Sequence, residues 1–236
     1  MAVPLRGRPE IVPVGLLLSA VGGFLDAYSY VGHGGVFANA QTGNVVLLAV
    51  GLVRGEVGAA LRHLPPLLSF LVGLGVAQAL ARVLRRPSTP RALRRPTRAV
   101  LGVEALVLTL CAAVPLPDVV VGVAVAFVVA LQVATFTTVG DVPYNATVTT
   151  GNLRSLVAET ARWAGDRAPD AGRRAAVLGG IVVSFAAGAV VGGALTVTTG
   201  RAAAFAAAGV VLVVLAAIVV GAGRADDASA SSRRDQ

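Results

Sequence analysis

Apolar residues run through this chain in long unbroken blocks, and short polar segments separate one block from the next. A helix needs about 20 mostly apolar residues to cross the hydrocarbon layer of a bilayer. Six blocks answer to that description: 11–32, 64–84, 99–116, 119–139, 175–198 and 202–222. The third ends at "PLPD", where two prolines and an aspartate predict a tight hairpin into the fourth. The stretch "RRPSTPRALRRPTR" at 85–98 reads as a basic, proline-broken loop, and the polar tail over 223–236 as a disordered segment. Residues 1–222 are therefore expected to form one polytopic membrane domain, with no soluble domain attached.

Composition agrees with the pattern. Of 236 residues 56% are hydrophobic and 14% charged, too little charge to cover a soluble domain of this size. The net charge of +8 comes from twenty arginines without a single lysine. Those arginines fall between apolar blocks with few aromatic residues among them, which speaks against a nucleic-acid groove. Cys111 is alone, so no disulfide can form within the chain and a small buried hydrophobe is the expectation. Arg6 and Arg8 before the first block, with "ANA" at 38–40, imitate a cleavable signal. The block is long, carries Asp26 and ends well before that site, so a retained first helix is expected.

Positive loops stay on the cytoplasmic side. With the N-terminus inside, the inner segments collect most of the arginines, while the outer ones keep Arg54, Arg62 and Arg201. Every loop obeys the same bias. Both termini are expected to be cytoplasmic, in the inner membrane of a bacterium.

The triplet Thr-Gly-Asn occurs twice, at 42–44 and 150–152, each time shortly after a long apolar block. "SFLVGLGVAQAL" from Ser69 matches "SFAAGAVVGGAL" from Ser184 at six of twelve positions. "LDAYSYVG" before the first triplet is echoed by "LQVATFTTVG" before the second. Each half thus reads helix, triplet, helix, helix, with repeat one at 11–116 and repeat two at 119–222. Three crossings per half invert the second half relative to the first, as in many secondary transporters. The expected fold is an all-α integral membrane protein of about six transmembrane helices in 3+3 inverted-topology repeats. Small residues recur every fourth place in the matched helices (Ser69, Gly73, Ala77, Ala81; Gly180, Ser184, Gly188, Gly192), which predicts close helix packing. The same faces would serve a homo-oligomer.

Each triplet predicts the start of a short or re-entrant helix, its threonine acting as N-cap. The run 45–53 is too short to span, and "LRSLVAETARW" after the second triplet too polar. If the segments dip inward, Thr42, Gly43 and Asn44 enter from one side and Thr150, Gly151 and Asn152 from the other, as candidate substrate-binding residues around a shared cavity. The alternative is a pair of ordinary caps at the membrane surface. Ionisable and amide groups inside the blocks are the other candidates, because such groups in lipid are paired or face a wet pathway. They are Asp26, Glu104, Gln78 and Gln132. Arg82 is expected to pair with Glu104, and Asp26 has no evident cationic partner.

"GFLDAYSYVGHGGVFANAQTGNVVLLAVGL" together with "VTTGNLRSLV" resembles the YoaK-like family of bacterial membrane proteins, a family of unknown function. The resemblance spans nearly the whole chain. Where that family carries a Leu-Gln-Asn-Ala-type stretch in its fourth helix, this chain reads "LQVAT", so Gln132 matches and Val133 departs.

Known hydrolase, nucleotide-binding and metal motifs are absent from the sequence, so no enzyme activity, cofactor or metal is expected. Three classes stay open: a small secondary transporter of a polar or anionic solute, a channel lined by paired half-helices, and a non-transporting membrane scaffold. The bilayer and an unidentified small solute are the expected partners, with no nucleic acid.

Overall fold

The computed structural model describes residues 11–84, 96–140, 142–143 and 149–234, with side chains in the last stretch described as far as Gly221. The arginine-rich segment 85–95 lies outside these residues, as do Arg6 and Arg8. Among the described residues nine α-helices follow in order: α1 (Ile11–Gly32), α2 (Gln41–Val53), α3 (Val57–Leu61), α4 (Leu64–Leu84), α5 (Pro96–Ala113), α6 (Asp118–Thr135), α7 (Thr149–Asp166), α8 (Pro169–Thr199) and α9 (Ala204–Arg234). A two-residue ribbon, β1 (Thr138–Val139) with β2 (Val142–Pro143), follows α6. A one-turn 3-10 helix at Gly200–Ala203 joins α8 to α9.

Among the described residues four stretches are long and apolar enough to cross a membrane: Val12–Gly32, Val57–Val83, Asp118–Thr135 and Pro169–Gly221, the last running through α8 and α9. The chain is an all-α membrane protein by these criteria. Exposed Leu71, Val72, Val183 and Val213 on the outer faces of these helices suit contact with lipid, since no polar surface covers them.

Two helix pairs dominate the interior: α1 packs along α8, and α4 packs along α6. Glycine sets both approaches. A Cβ on Gly188 would collide with the Ala20 carbonyl, and one on Gly23 with that of Phe185. On the other pair a Cβ on Gly73 would stand 2.8 Å from the Phe127 carbonyl oxygen. In lipid, where apolar burial gives no driving force, such backbone proximity supplies the van der Waals contact that holds helices together. α5 completes the core against α6 and α9 through a stripe including Leu101, Ala105 and Leu108.

Three differences from the sequence reading have physical reasons. The helix of α9 continues to Arg234, into the tail expected to be disordered. Extending an existing helix is far cheaper than nucleating one, and Ala and Arg favour it. α8 begins at Pro169, six residues before the apolar block, because proline suits a first helical turn. Both triplet helices start one residue before their threonine, so Thr42 and Thr150 lie inside the first turn and do not serve as N-caps.

Candidate functional site

Asp26 sits on the buried side of α1, and the chain leaving that helix folds back over it. The Asn39 N–H donates to Asp26 Oδ1 at 2.7 Å, and the Ala40 N–H approaches the same oxygen at 3.4 Å. The Asn39 side chain donates to the Gly22 carbonyl at 2.8 Å. Ala40 precedes α2 without a side chain that could cap it. The carboxylate of α1 thus takes the capping role at long range, satisfying N–H groups at the entrance of α2 that would otherwise lack partners.

Asn44 is wholly buried and works on the same loop. Its Oδ1 accepts from the Phe37 N–H at 2.9 Å, and its Nδ2 donates to the Phe37 carbonyl at 2.8 Å. Nδ2 also donates to Gln41 Oε1 at 2.9 Å, and His63 Nδ1 stands 3.4 Å from Oδ1. The amide therefore clips the loop as a neighbouring strand would. Gly43 makes room for it, since a Cβ there would stand 2.8 Å from the Phe37 ring. Phe37 in turn stacks on Tyr30 with ring centroids 4.8 Å apart.

Against this loop lies a cavity of about 780 Å³. Asp26, Asn39 and Thr42 contribute polar groups from the first half, and Thr149 and Thr150 from the second. Tyr30 and Phe37 close one part of the wall, Phe70 and Phe185 others. A mostly apolar hollow with a few convergent polar groups is the usual form of a small-molecule site. The hydroxyls and amide can donate or accept, and the carboxylate accepts when ionised.

The lining has an internal order. Phe70 and Phe185 are equivalent residues of the two matched "SF" segments, and Leu74 and Ala189 are equivalent four residues later. Ala27 and Val133 follow the matched Leu25-Asp26 and Leu131-Gln132. Thr42 and Thr150 open the two triplets. All eight residues line this one cavity.

The other sequence candidates lie elsewhere. Asn152 is buried in the first turn of α7, and Gly151 beside it is exposed. Gln78 is exposed on α4. Gln132 is fully buried next to the cavity-lining Val133, and neither atom of its amide has a hydrogen-bond partner among the described residues. Glu104 is fully buried on the core-facing stripe of α5, with both carboxyl oxygens unpartnered among the described residues. The expected Arg82–Glu104 pair is not formed. α4 leaves Arg82 exposed, while α5 turns Glu104 inward against α6 and α9.

Sequence reading passed over Asn39, Tyr30 and the cavity phenylalanines. The signal for the last was present, because Phe70 and Phe185 stand at one position of the repeated segment. No such signal marked Asn39, whose place depends on how the loop folds back. No group of three or more potential metal ligands occurs among the described residues.

A family described as "Protein of unknown function (DUF1275)" matches residues 14–218. No curated protein and no solved structure matches the chain.

Proposed function

The chain belongs to this DUF1275 family of proteins of unknown function, and we propose that it is a small secondary transporter built from two inverted halves, with the 780 Å³ cavity as its solute site. One observation carries the reading: residues at matching positions of the two halves line one cavity. A site on the symmetry axis of inverted repeats is what alternating access requires, because rocking one half against the other exposes it to each side in turn. The helix pairing supports the same reading. Exchange of the halves carries α1 on α8 into α6 on α4, and those are the two dominant pairs. Six spans, α1, α4, α5, α6, α8 and α9, complete the arrangement, with α2, a short helix of 13 residues, and α7, a polar helix of 18, as the triplet helices. The arginine bias favours an orientation with both termini on the cytoplasmic side.

The lining favours a small polar or anionic solute over a bulky lipid. Hydroxyls of Thr42, Thr149 and Thr150 offer donors, beside the aromatic walls of Tyr30 and Phe37. Asp26 is the candidate for the coupling cation or proton.

Uptake by purified protein in liposomes, over a panel of small polar and anionic solutes, tests the proposal. Accumulation that depends on a proton or sodium gradient is the expected result. Flux indifferent to any gradient would make the protein a channel, and absence of flux across the panel would make it a scaffold.

A further inference from the structure

A second, polar cavity of about 290 Å³ lies beside the first, between the turn after α1, the end of α2 and the short α3. Arg54, Arg62 and His63 line it together with Glu56 and Tyr30. Tyr30 also lines the central cavity, so one side chain forms a wall of both. Neither arginine forms an ion pair among the described residues, although Glu56 shares the lining. One guanidinium nitrogen of Arg62 donates to the Gly34 carbonyl at 3.2 Å, which orients the group and leaves its remaining N–H donors for a ligand.

The backbone around this pocket turns at glycines and closes α2 onto α3. Gly34, Gly35 and Gly55 have φ of +78°, +75° and +75°, a region other residues enter at a cost. α2 closes against α3 at Gly51, where a Cβ would stand 2.9 Å from that of Ala60. The Glu56 N–H donates to the Gly51 carbonyl at 2.9 Å, tying the end of α2 to the start of α3. The location of the arginines adds weight. The charge bias leaves three arginines on the outer side, and two of them line this one pocket.

We propose that this pocket is an outward-facing binding site for a small oxyanion, a carboxylate or phosphate group, placed as a vestibule to the central cavity. Two guanidinium forks against one carboxylate leave the pocket positive, and such forks match the paired oxygens of either group. Glu56 accepts from a hydroxyl on the same ligand, and monobasic phosphate carries both features. A water molecule takes up about 30 Å³ of liquid, so the pocket holds such an ion with some of its hydration. Only the role as a vestibule rests on the transport reading. Binding is measured without transport, so either can fail alone.

The experiment is calorimetric titration of inorganic phosphate into the full-length protein, held in nanodiscs of phosphatidylcholine or of phosphatidylglycerol. Arg54→Gln and Arg62→Gln should each weaken binding by about tenfold, in line with the loss of a charge-assisted hydrogen bond. The double variant should abolish it, with an unchanged thermal transition showing that the protein is folded. Arg62→Lys, which keeps the charge and loses the fork, should fall between wild type and Arg62→Gln. Equal binding in both lipids assigns the site to a free anion. Weaker binding of phosphate by wild type in phosphatidylglycerol than in phosphatidylcholine assigns the same site to lipid headgroups. Phosphate binding that is absent in wild type, or unaltered in the double variant, overturns the proposal.

Discussion

Asp26 Oδ1 lies 2.7 Å from the backbone nitrogen of Asn39, so a carboxylate on α1 holds the entrance of α2. The same residue lines the central cavity. One side chain thereby joins the position of the first triplet helix to the chemistry of the site.

Two substitutions separate those roles. Asp26→Asn keeps an oxygen that accepts from the Asn39 N–H, so the protein should fold and exchange solute across the membrane. It loses the ionisable group and should no longer accumulate solute against a gradient. Asp26→Ala strands the Asn39 N–H as well, at a cost of roughly 1–3 kcal/mol. Counterflow and gradient-driven uptake, measured alongside thermal unfolding, distinguish the cases. Undiminished accumulation by Asp26→Asn would place the coupling group elsewhere.

Thr42 and Asn44 should behave oppositely although they share a triplet. Asn44→Ala leaves the half-buried N–H and carbonyl of Phe37 without their partner, costing up to about 1–3 kcal/mol for each stranded group. Its main effect should appear as a lowered midpoint of thermal unfolding. Thr42→Val and Thr150→Val replace cavity hydroxyls on exposed positions, should alter stability by no more than about 0.5 kcal/mol, and should raise the half-saturating solute concentration. Equal losses of stability in all three variants would make the triplets purely structural.

Much of this arrangement was legible in the sequence. Long apolar blocks announced the membrane helices, and the small residues at Gly73 and Gly188 announced close packing, because spacing along a helix maps directly onto its faces. Of the two triplets only Thr42 and Thr150 line the cavity, and the repeated "SF" adds Phe70 and Phe185, which the sequence reading did not single out. What sequence could not supply was the fold of the loop over 33–40. Asn39 and Phe37 owe their places to hydrogen bonds with Asp26 and Asn44, which depend on how the chain reverses after α1. Glu104 was misread for a related reason. Its place near the inner end of its apolar block, on a helix next to that of Arg82, suggested that arginine as partner, but the rotation of α5 against α6 and α9, which periodicity leaves undetermined, turns it into the core.

Close packing of α1 on α8 gives a test that needs no solute. Gly188→Ala forces a methyl group into the Ala20 carbonyl and should destabilise by roughly 1–3 kcal/mol, as overpacked cores do. Gly209→Ala on α9, where a Cβ meets nothing within 4 Å, should leave stability equal or improved. Thermal unfolding in one detergent compares the two directly. Equal midpoints would deny that α1 and α8 are in backbone contact.

The central claim is that the two triplets, 108 positions apart by the numbering of Thr42 and Thr150, open onto one cavity. Thr42→Cys with Thr150→Cys, in a Cys111→Ser background, tests it in native membranes with a short bifunctional thiol reagent. A cross-link within the single chain is the predicted result, detected as an altered mobility that reduction reverses when the reagent carries a disulfide. If each cysteine reacts singly with a monofunctional reagent, yet no bifunctional reagent small enough to enter the cavity ever joins them, the two triplets do not share a site and the account is contradicted.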